Sequence, residues 1–332
     1  MMTAHKAAAL AAAKRASDEA MAGIRVFALV GPTAVGKSSV AEEVARRLDS
    51  EVVSADSMQI YRGMDIGTAK VPEADRTVPY HCVDIVNPGT PYSAALYQQA
   101  AREAIEDIAG RSKVPVLVGG TGLYVRAALD DLSFPKGEQQ DNEVRKYYED
   151  YAEEHGAPAL YELLVERDPD SAAVVHRNNT RRVVRALEML ESGVPYAEQR
   201  AGFSNRRSVY DTVLVGLALN REELYRRIDA RVVAMVERGL LEEIEALLAA
   251  GLRSTLTASQ AIGYKEFVPV VEGKADLEDA ISAVQLASRH YAKRQMTWFR
   301  ADPRVVWIEM DGFTVEQAAI RAIGALDCPS VS

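Results

Sequence analysis

The chain has 332 residues, 48% hydrophobic and 26% charged, the proportions of a globular protein able to bury a sizeable core in one domain or two. No apolar stretch approaches the roughly 20 residues that span a bilayer, and two cysteines, Cys82 and Cys328, exclude a disulfide framework or a Cys-rich zinc site and suit a reducing cytoplasm. A net charge of −9 repels phosphate on average, so any nucleic-acid partner must be met by local basic patches.

Residues 1–22 open on an alanine-rich run flanked by Lys6, Lys14 and Arg15. The run lacks a leucine-rich segment and reads as a loosely ordered helical extension rather than a signal or transit peptide. The first strand-like run follows at residues 26–30, and others at 51–55, 81–86, 114–118, 212–219 and 305–308. Unbroken β-rich runs separated by helical stretches at 38–48, 93–109 and 221–250 predict an α/β fold, a parallel sheet covered by helices on both faces. In the last of these helices Leu224, Ile228, Met235, Leu241, Ile244 and Leu248 recur at helical spacing. Between residues 133 and 208 convincing strands disappear and short helical patterns take over, notably at 143–154 and 180–191. The domain plan is thus an extension (1–22), a discontinuous sheet core (23–132 and 209–332) and an all-helical insertion (133–208).

The strongest chemical signal is Gly31-Pro32-Thr33-Ala34-Val35-Gly36-Lys37-Ser38, a complete G-x-x-x-x-G-K-S between an apolar strand and a helix. Glycines permit tight turns that aim successive N–H groups at phosphate oxygens, the helix adds the positive end of its dipole, Lys37 adds a full charge, and the Ser38 hydroxyl can ligate Mg²⁺. The loop identifies a diphosphate ligand; ATPases, kinases and transferases of other diphosphates share it. Many nucleotide hydrolases also carry an aspartate ending a second apolar strand. Here residues 114–118 run into Gly119-Gly120-Thr121-Gly122, and Asp84 is a weaker stand-in on another strand, which argues against routine ATP hydrolysis. Asp56, just past the run at 51–55, stands at the carboxyl edge of the sheet with the phosphate loop, where a carboxylate can face the bound diphosphate; a turn-capping role is the plain alternative.

The phosphate loop together with Ser54-Ala55-Asp56-Ser57-Met58-Gln59-Ile60-Tyr61 and Met64-Asp65-Ile66-Gly67-Thr68-Ala69-Lys70 resembles the tRNA dimethylallyltransferase family. Further along, Val118-Gly119-Gly120-Thr121-Gly122-Leu123-Tyr124, Arg185-Ala186-Leu187-Glu188, Ala261-Ile262-Gly263-Tyr264-Lys265 and Ala292-Lys293-Arg294-Gln295-Met296-Thr297-Trp298 extend the resemblance from residue 31 to 300. It implies transfer of a dimethylallyl group from dimethylallyl diphosphate to N6 of the adenosine 3′ of the anticodon in tRNA, with release of pyrophosphate, by a cytoplasmic enzyme that needs no protein partner and no membrane. Asp56 is then the expected base, Arg231 the arginine on the diphosphate, and Thr33 and Thr121 face donor and acceptor. Mg²⁺ at Ser38 is the expected cofactor.

An adenine must leave its stack to react, so the RNA has to be gripped as an unpaired loop. The resemblance assigns the base edge to Asp56, Ser57, Met58 and Gln59, with Gln260, Gly263, Tyr264 and Lys265 nearby. Two basic stripes are expected on the RNA backbone. One is Arg181 and Arg185 with Arg182 flanking them; the other is Arg289, Lys293 and Arg300 with Arg294 alongside, and Arg145 lies on the insertion. Arg181 departs from the family, which often has Gln there, and the alanine-rich start has no family counterpart. Rival readings are a small-molecule kinase, which would transfer phosphate from ATP, and an adenylate isopentenyltransferase acting on free nucleotides, which would not need the insertion. A non-enzymatic RNA-binding regulator would not need the Asp56, Lys37 and Ser38 set.

Overall fold

A computed structural model of the chain describes residues 19, 21–134, 143–203, 206–254 and 257–327. Most of the alanine-rich extension, and Cys328, lie outside these residues. The chain divides into two units, one built from the segments ending at Asp130 and resuming at Ser208, the other from Asp131–Arg207.

The first unit is organised by a six-stranded sheet in the order β3-β2-β4-β1-β5-β6. The strands are β1 (Arg25–Val30), β2 (Val52–Ser54), β3 (Tyr80–His81), β4 (Val116–Gly119), β5 (Asp211–Ala218) and β6 (Val306–Glu309). Every pairing is parallel, and β1 lies at the centre, with Phe27 opposite Val116 on one side and Val213 on the other. The unbroken apolar composition of these strands follows from burial on both faces. The helices Lys37–Arg47 and Val315–Ile323 contribute Val40, Val44, Ala318 and Ala322 to a core shared with Phe27, Leu29 and Val215. Elsewhere the helix Ala94–Gly110, capped at Ser93, stacks Tyr97 on Tyr124 of the helix Gly122–Leu129 at 3.9 Å between ring centroids.

Two expected elements differ in extent. The run expected at 81–86 yields only Tyr80–His81, because Cys82 and Asp84 adopt left-handed φ values of 60° and 56° that no strand accommodates. Pairing resumes as an isolated bridge between Val86 and Tyr61. The single helix expected at 221–250 is two, Arg221–Glu237 and Leu240–Ala249, broken at Gly239 with φ 95°. The break rephases the second helix, which buries Leu240, Ile244 and Leu247 rather than Leu241 and Leu248.

The sheet unit's chain ends at Asp130 and Ser208 form an antiparallel bridge. Val209 N–H and the Ser208 hydroxyl both donate to the Leu129 carbonyl, at 2.8 and 3.1 Å. The fully buried Asp130 carboxylate is paired with Arg126 at 2.6 Å and Arg304 at 2.7 Å, which compensates the cost of removing it from water.

The second unit is helical throughout its described residues, with the helices Glu143–His155, Ala157–Arg167, Pro169–Val174, Thr180–Glu191 and Tyr196–Gly202. Tyr148, Leu160, Leu164, Val183 and Leu187 form its own core. Asp168 and Asn179 cap helix starts by accepting the Ser171 and Arg182 N–H groups, satisfying donors that a helix leaves unpaired.

Where β4 ends, the backbone of Gly119 approaches that of Ala55 so closely that a Cβ at 119 would lie 2.2 Å from the Ala55 carbonyl oxygen. Gly119→Ala is therefore expected to destabilise the protein by at least about 2 kcal/mol through overpacking against main chain. Thermal or urea unfolding of the variant checks this, and wild-type stability would contradict the close packing.

Candidate active site

The turn after β1 is a concave row of amides. Gly31, Ala34 and Gly36 have φ values of 147°, 63° and 101°, the alternation that turns neighbouring N–H groups toward one centre. The helix Lys37–Arg47 starts at Gly36 without a side-chain cap and without an acidic residue in its first turn, so its N-terminal donors remain for an anion. Lys37 Nζ donates to the Pro32 carbonyl at 2.6 Å, folding the ammonium back over the loop.

Two cavities meet here. One, of about 760 Å³, is lined by Gly36, Ser38, Gly119 and Gly120 and is mixed in charge, with Lys37, Lys70, Arg231 and Arg238 facing Glu42, Asp56 and Asp75. The other, of about 500 Å³, is the more apolar of the two, with Met58, Ile228, Val232, Met235, Ile262 and Val284 lining it beside polar groups that include Gln260, His290 and Arg294. Thr33, Ala34, Asp56, Thr68, Arg231 and Tyr291 line both. Asp56 thus stands on a shared wall, its Oδ1 accepting the Met58 N–H at 2.9 Å. Arg231 reaches the same wall from the helix Arg221–Glu237 and donates to the Thr33 hydroxyl at 3.1 Å.

Charge is costly in this recess. Lys37 and Arg231 keep a partial opening to the cavities, yet desolvation lowers the Lys37 pKa to about 7 and lowers that of Arg231. The nearby Asp56 carboxylate opposes both shifts, while Arg231 repels the Lys37 charge. Burial, reinforced by the Asp56 charge, raises the Tyr291 phenol to about 12, so it stays protonated as a hydrogen-bond donor.

Three loops following β1, β2 and β4 are tied together at this edge. The Thr121 hydroxyl accepts the Ser57 N–H at 3.2 Å, and Gln59 accepts the Ser54 hydroxyl at 2.9 Å while donating to the Thr68 carbonyl at 3.3 Å. Gln295, on the helix Leu277–Arg300, accepts the Thr33 N–H at 2.8 Å and donates to the Gly120 carbonyl at 2.9 Å. Asp84, the weaker candidate for a metal-holding acid, is instead paired with Lys70 at 2.6 Å.

Residues 59–302 match the family model described as IPP transferase, and residues 24–76 match that described as isopentenyl transferase. A tRNA dimethylallyltransferase from Geobacillus thermodenitrificans is 46% identical over 86% of this chain and 90% of its own length. The chain belongs to the tRNA dimethylallyltransferase family. It is accordingly an enzyme of the prenyltransferase class. Another tRNA dimethylallyltransferase, from Bacillus subtilis, is 44% identical over 86% of this chain and 90% of its own. In structure the chain is similar to the full-length tRNA isopentenylpyrophosphate transferase of Bacillus halodurans, with TM-score 0.66, 40% identity, and coverage of 91% and 97%. It is also similar to a eukaryotic dimethylallyltransferase acting on tRNA, with TM-score 0.76, 29% identity, and coverage of 93% and 81%.

Within this member of the dimethylallyltransferase family, Gln260, Gly263, Tyr264 and Lys265 line the more apolar cavity, but Tyr264 is fully buried and donates to Glu243 at 2.7 Å. That ring is packing beneath Gly67, where a Cβ would lie 2.5 Å from it. The expected basic stripes separate into two kinds of residue. Arg181, Arg182, Lys293 and Arg294 are exposed. By contrast Arg289 is paired with Asp229 at 2.6 Å, Arg185 with Glu188 at 2.9 Å and Arg145 with Glu149 at 2.9 Å, so part of their charge is already compensated. Sequence reasoning missed Tyr291, Gln295, Arg238 and Glu243. Tyr291 and Gln295 stand four apart on a helix face that also buries Val284 and Phe299; a glutamine recurring in such a buried stripe is the available signal. Glu243 accepts the N–H groups of Asp65, Ile66 and Gly67, a role with no linear signature.

The depressed Lys37 has a measurable consequence. Above about pH 7 the empty site holds Lys37 largely neutral, and a bound diphosphate restores its charge, so binding takes up a proton at Lys37 between pH 7 and the ordinary value of 10.5. Calorimetric titration of inorganic pyrophosphate at about pH 8.5, in buffers of differing ionisation enthalpy, is expected to show more uptake in the wild type than in Lys37→Arg, whose guanidinium stays charged. Equal uptake would remove Lys37 as the proton acceptor.

Proposed function

We propose that this protein transfers the dimethylallyl group of dimethylallyl diphosphate to N6 of the adenosine 3′ of the anticodon in tRNA, releasing pyrophosphate. The observation that carries the reading is the position of Asp56 on the wall shared by the cavity that holds the phosphate loop, Lys37 and Arg231 and a second, more apolar one. The family's printed names, which couple tRNA with dimethylallyl or isopentenyl groups, supply the matching substrates.

The diphosphate lies along the phosphate loop, Gly31 to Ser38, with Ala34, Val35 and Gly36 contributing backbone amides, with Thr33 beside them, its N–H held by Gln295, and with Lys37 and Arg231 as counter-charges. The flipped adenine enters from the apolar side past Ser57 and Met58, while Gln59 lines the phosphate-loop cavity. N6 is a weak nucleophile because its lone pair is delocalised into the ring. As N6 bonds to C1 of the isoprenoid, the C1–O bond breaks, its electrons leave with pyrophosphate, and Asp56 takes the N6 proton. A positioned base contributes roughly 10²–10⁴ in rate. The loop amides, Lys37 and Arg231 stabilise the charge that grows on the leaving group. Thr121, by holding Ser57, keeps the Asp56 loop in place.

The donor set fits a hard divalent cation such as Mg²⁺ held chiefly by its substrate. Among the described residues no cluster of three or more His, Cys, Asp or Glu forms a protein cage, whereas the Ser38 hydroxyl opens into the phosphate-loop cavity. When bound there, the ion would neutralise diphosphate charge.

For the RNA, the exposed Arg181 and Arg182 of the helical unit, and the exposed Lys293 and Arg294 of the sheet unit, are the phosphate contacts in this scheme. Arg145 and Arg185 pair within their own helices, and Arg289 joins the helix Leu277–Arg300 to Arg221–Glu237 through Asp229. Among the described residues no helix is long and apolar enough to cross a membrane, and the proposed setting is a cytoplasmic monomer.

Dimethylallyl diphosphate, ATP and GTP offered separately with tRNA or AMP are expected to yield isopentenyladenosine only from the first donor with tRNA. Asp56→Asn is expected to keep donor affinity while losing about 10²–10⁴ in turnover. Phosphate transfer from ATP, or near-normal turnover by that variant, would overturn the scheme. Arg181→Ala is expected to make the log–log salt slope of tRNA binding shallower by about one contact; an unchanged slope would dismiss that side chain.

A further inference from the structure

The sheet's hydrogen bonds hold its strands together only to their ends. Beyond them the reacting groups sit on separate loops, the diphosphate cradle after β1, Asp56 after β2 and the Gly119–Gly122 turn after β4. The backbone fastens the second to the third, since Ala55 N–H donates to Val118 O at 2.7 Å and Thr121 N–H to Ala55 O at 3.3 Å. The cradle is fastened to the third by a side chain. Gln295, 5% exposed, accepts the Thr33 N–H at 2.8 Å and donates to the Gly120 carbonyl at 2.9 Å.

We propose that Gln295 is a positioning residue for the transfer step, setting the separation between the bound diphosphate and Asp56. The inference rests on the reading given under Proposed function. The link is continuous from Thr33 through Gln295 to Gly120, and from Thr121 through Ser57 to Asp56. Thr33 is gripped at both ends, its amide by Gln295 and its hydroxyl by Arg231 at 3.1 Å, so this residue of the cradle has a fixed height above the sheet. A Cβ at position 120 would lie 2.2 Å from Gln295 Nε2, so glycine there lets the amide reach the Gly120 carbonyl and a larger residue would push it aside. A primary amide is the side chain the job requires, presenting one acceptor and one donor on a single rigid plane; glutamate keeps only the acceptor and methionine neither. Gln295 holds no charge and lines the phosphate-loop cavity with both of its hydrogen bonds directed at main chain, not at Asp56. Its effect is on geometry, where a displacement of about 1 Å costs on the order of 10² in rate.

The test uses the full chain with Gln295→Met, Gln295→Glu and, as a control, Gln98→Met, which removes an amide that donates to the Ala127 carbonyl away from both cavities. Single-turnover transfer to tRNA, calorimetric affinity for inorganic pyrophosphate and thermal unfolding are measured on each. Gln295→Met is expected to slow transfer by about 10- to 100-fold while pyrophosphate affinity changes by less than about threefold. Gln295→Glu, keeping the Thr33 acceptor, is expected to fall between Met and wild type, and Gln98→Met to transfer at the wild-type rate. An unchanged rate in Gln295→Met, or a loss that merely follows pyrophosphate affinity or the folded fraction, overturns the inference. If Gln295→Met does not fold, Gln295→Glu decides by the same criteria. Failure of the wild type to prenylate tRNA would instead sink the functional reading itself, and this inference with it.

Discussion

The arrangement depends on an imbalance of charge. Lys37 and Arg231 are drawn into a recess where water solvates them poorly, and a single carboxylate, Asp56, faces both. In isolation such a recess is expensive, which is why the Lys37 ammonium is held to about 7. An anion with two or more charges restores the balance, and the loop from Ala34 to Gly36 is already turned to receive it, the Thr33 N–H being held by Gln295. The same carboxylate that tempers the cations is thereby kept beside whatever the anion carries. Cradle and carboxylate are one electrostatic unit rather than two neighbouring sites.

That unit can exist because a parallel sheet delivers its strand ends to one edge. β2, β4 and β1 are adjacent in the sheet, so the three loops that follow them converge without long excursions of chain. Convergence alone leaves ångströms of freedom. Small residues remove it: Gly119 rests against Ala55, and Gly120 against Gln295. The helix Leu277–Arg300 supplies the closing layer with Tyr291 and Gln295 pointing inward, while Lys293 and Arg294 remain exposed.

Features written in contiguous residues were legible in the sequence. The phosphate loop, the buried strands and the helix Thr180–Glu191 depend on local spacing, and the structure places them accordingly. Asp56 was legible as a strand-end acid, and its neighbours gave it a family. What escaped reading depends on backbone states or distant partners. The left-handed residues Cys82 and Asp84 cut short a run whose composition favours a strand, and Gly239 breaks a helix whose apolar period continues almost in phase. Arg289 looks like a free cation until Asp229, sixty positions earlier, is folded against it. Arg145 and Arg185 carried a visible warning in acids three or four residues on, a spacing that pairs along a helix. Gln295 sits 262 residues from the amide it holds, and no period or motif joins them.

The bridge between Asp130 and Ser208 gives the helical unit the topology of a cassette. Because the sheet's two chain ends already lie side by side, a tight reverse turn in place of residues 131–207 would preserve the register of β4 and β5. The helices of the cassette can therefore lengthen, shorten or be exchanged between relatives while the reaction chamber keeps its dimensions. The sheet core and the helical cassette are in this way separately tunable stretches of one chain.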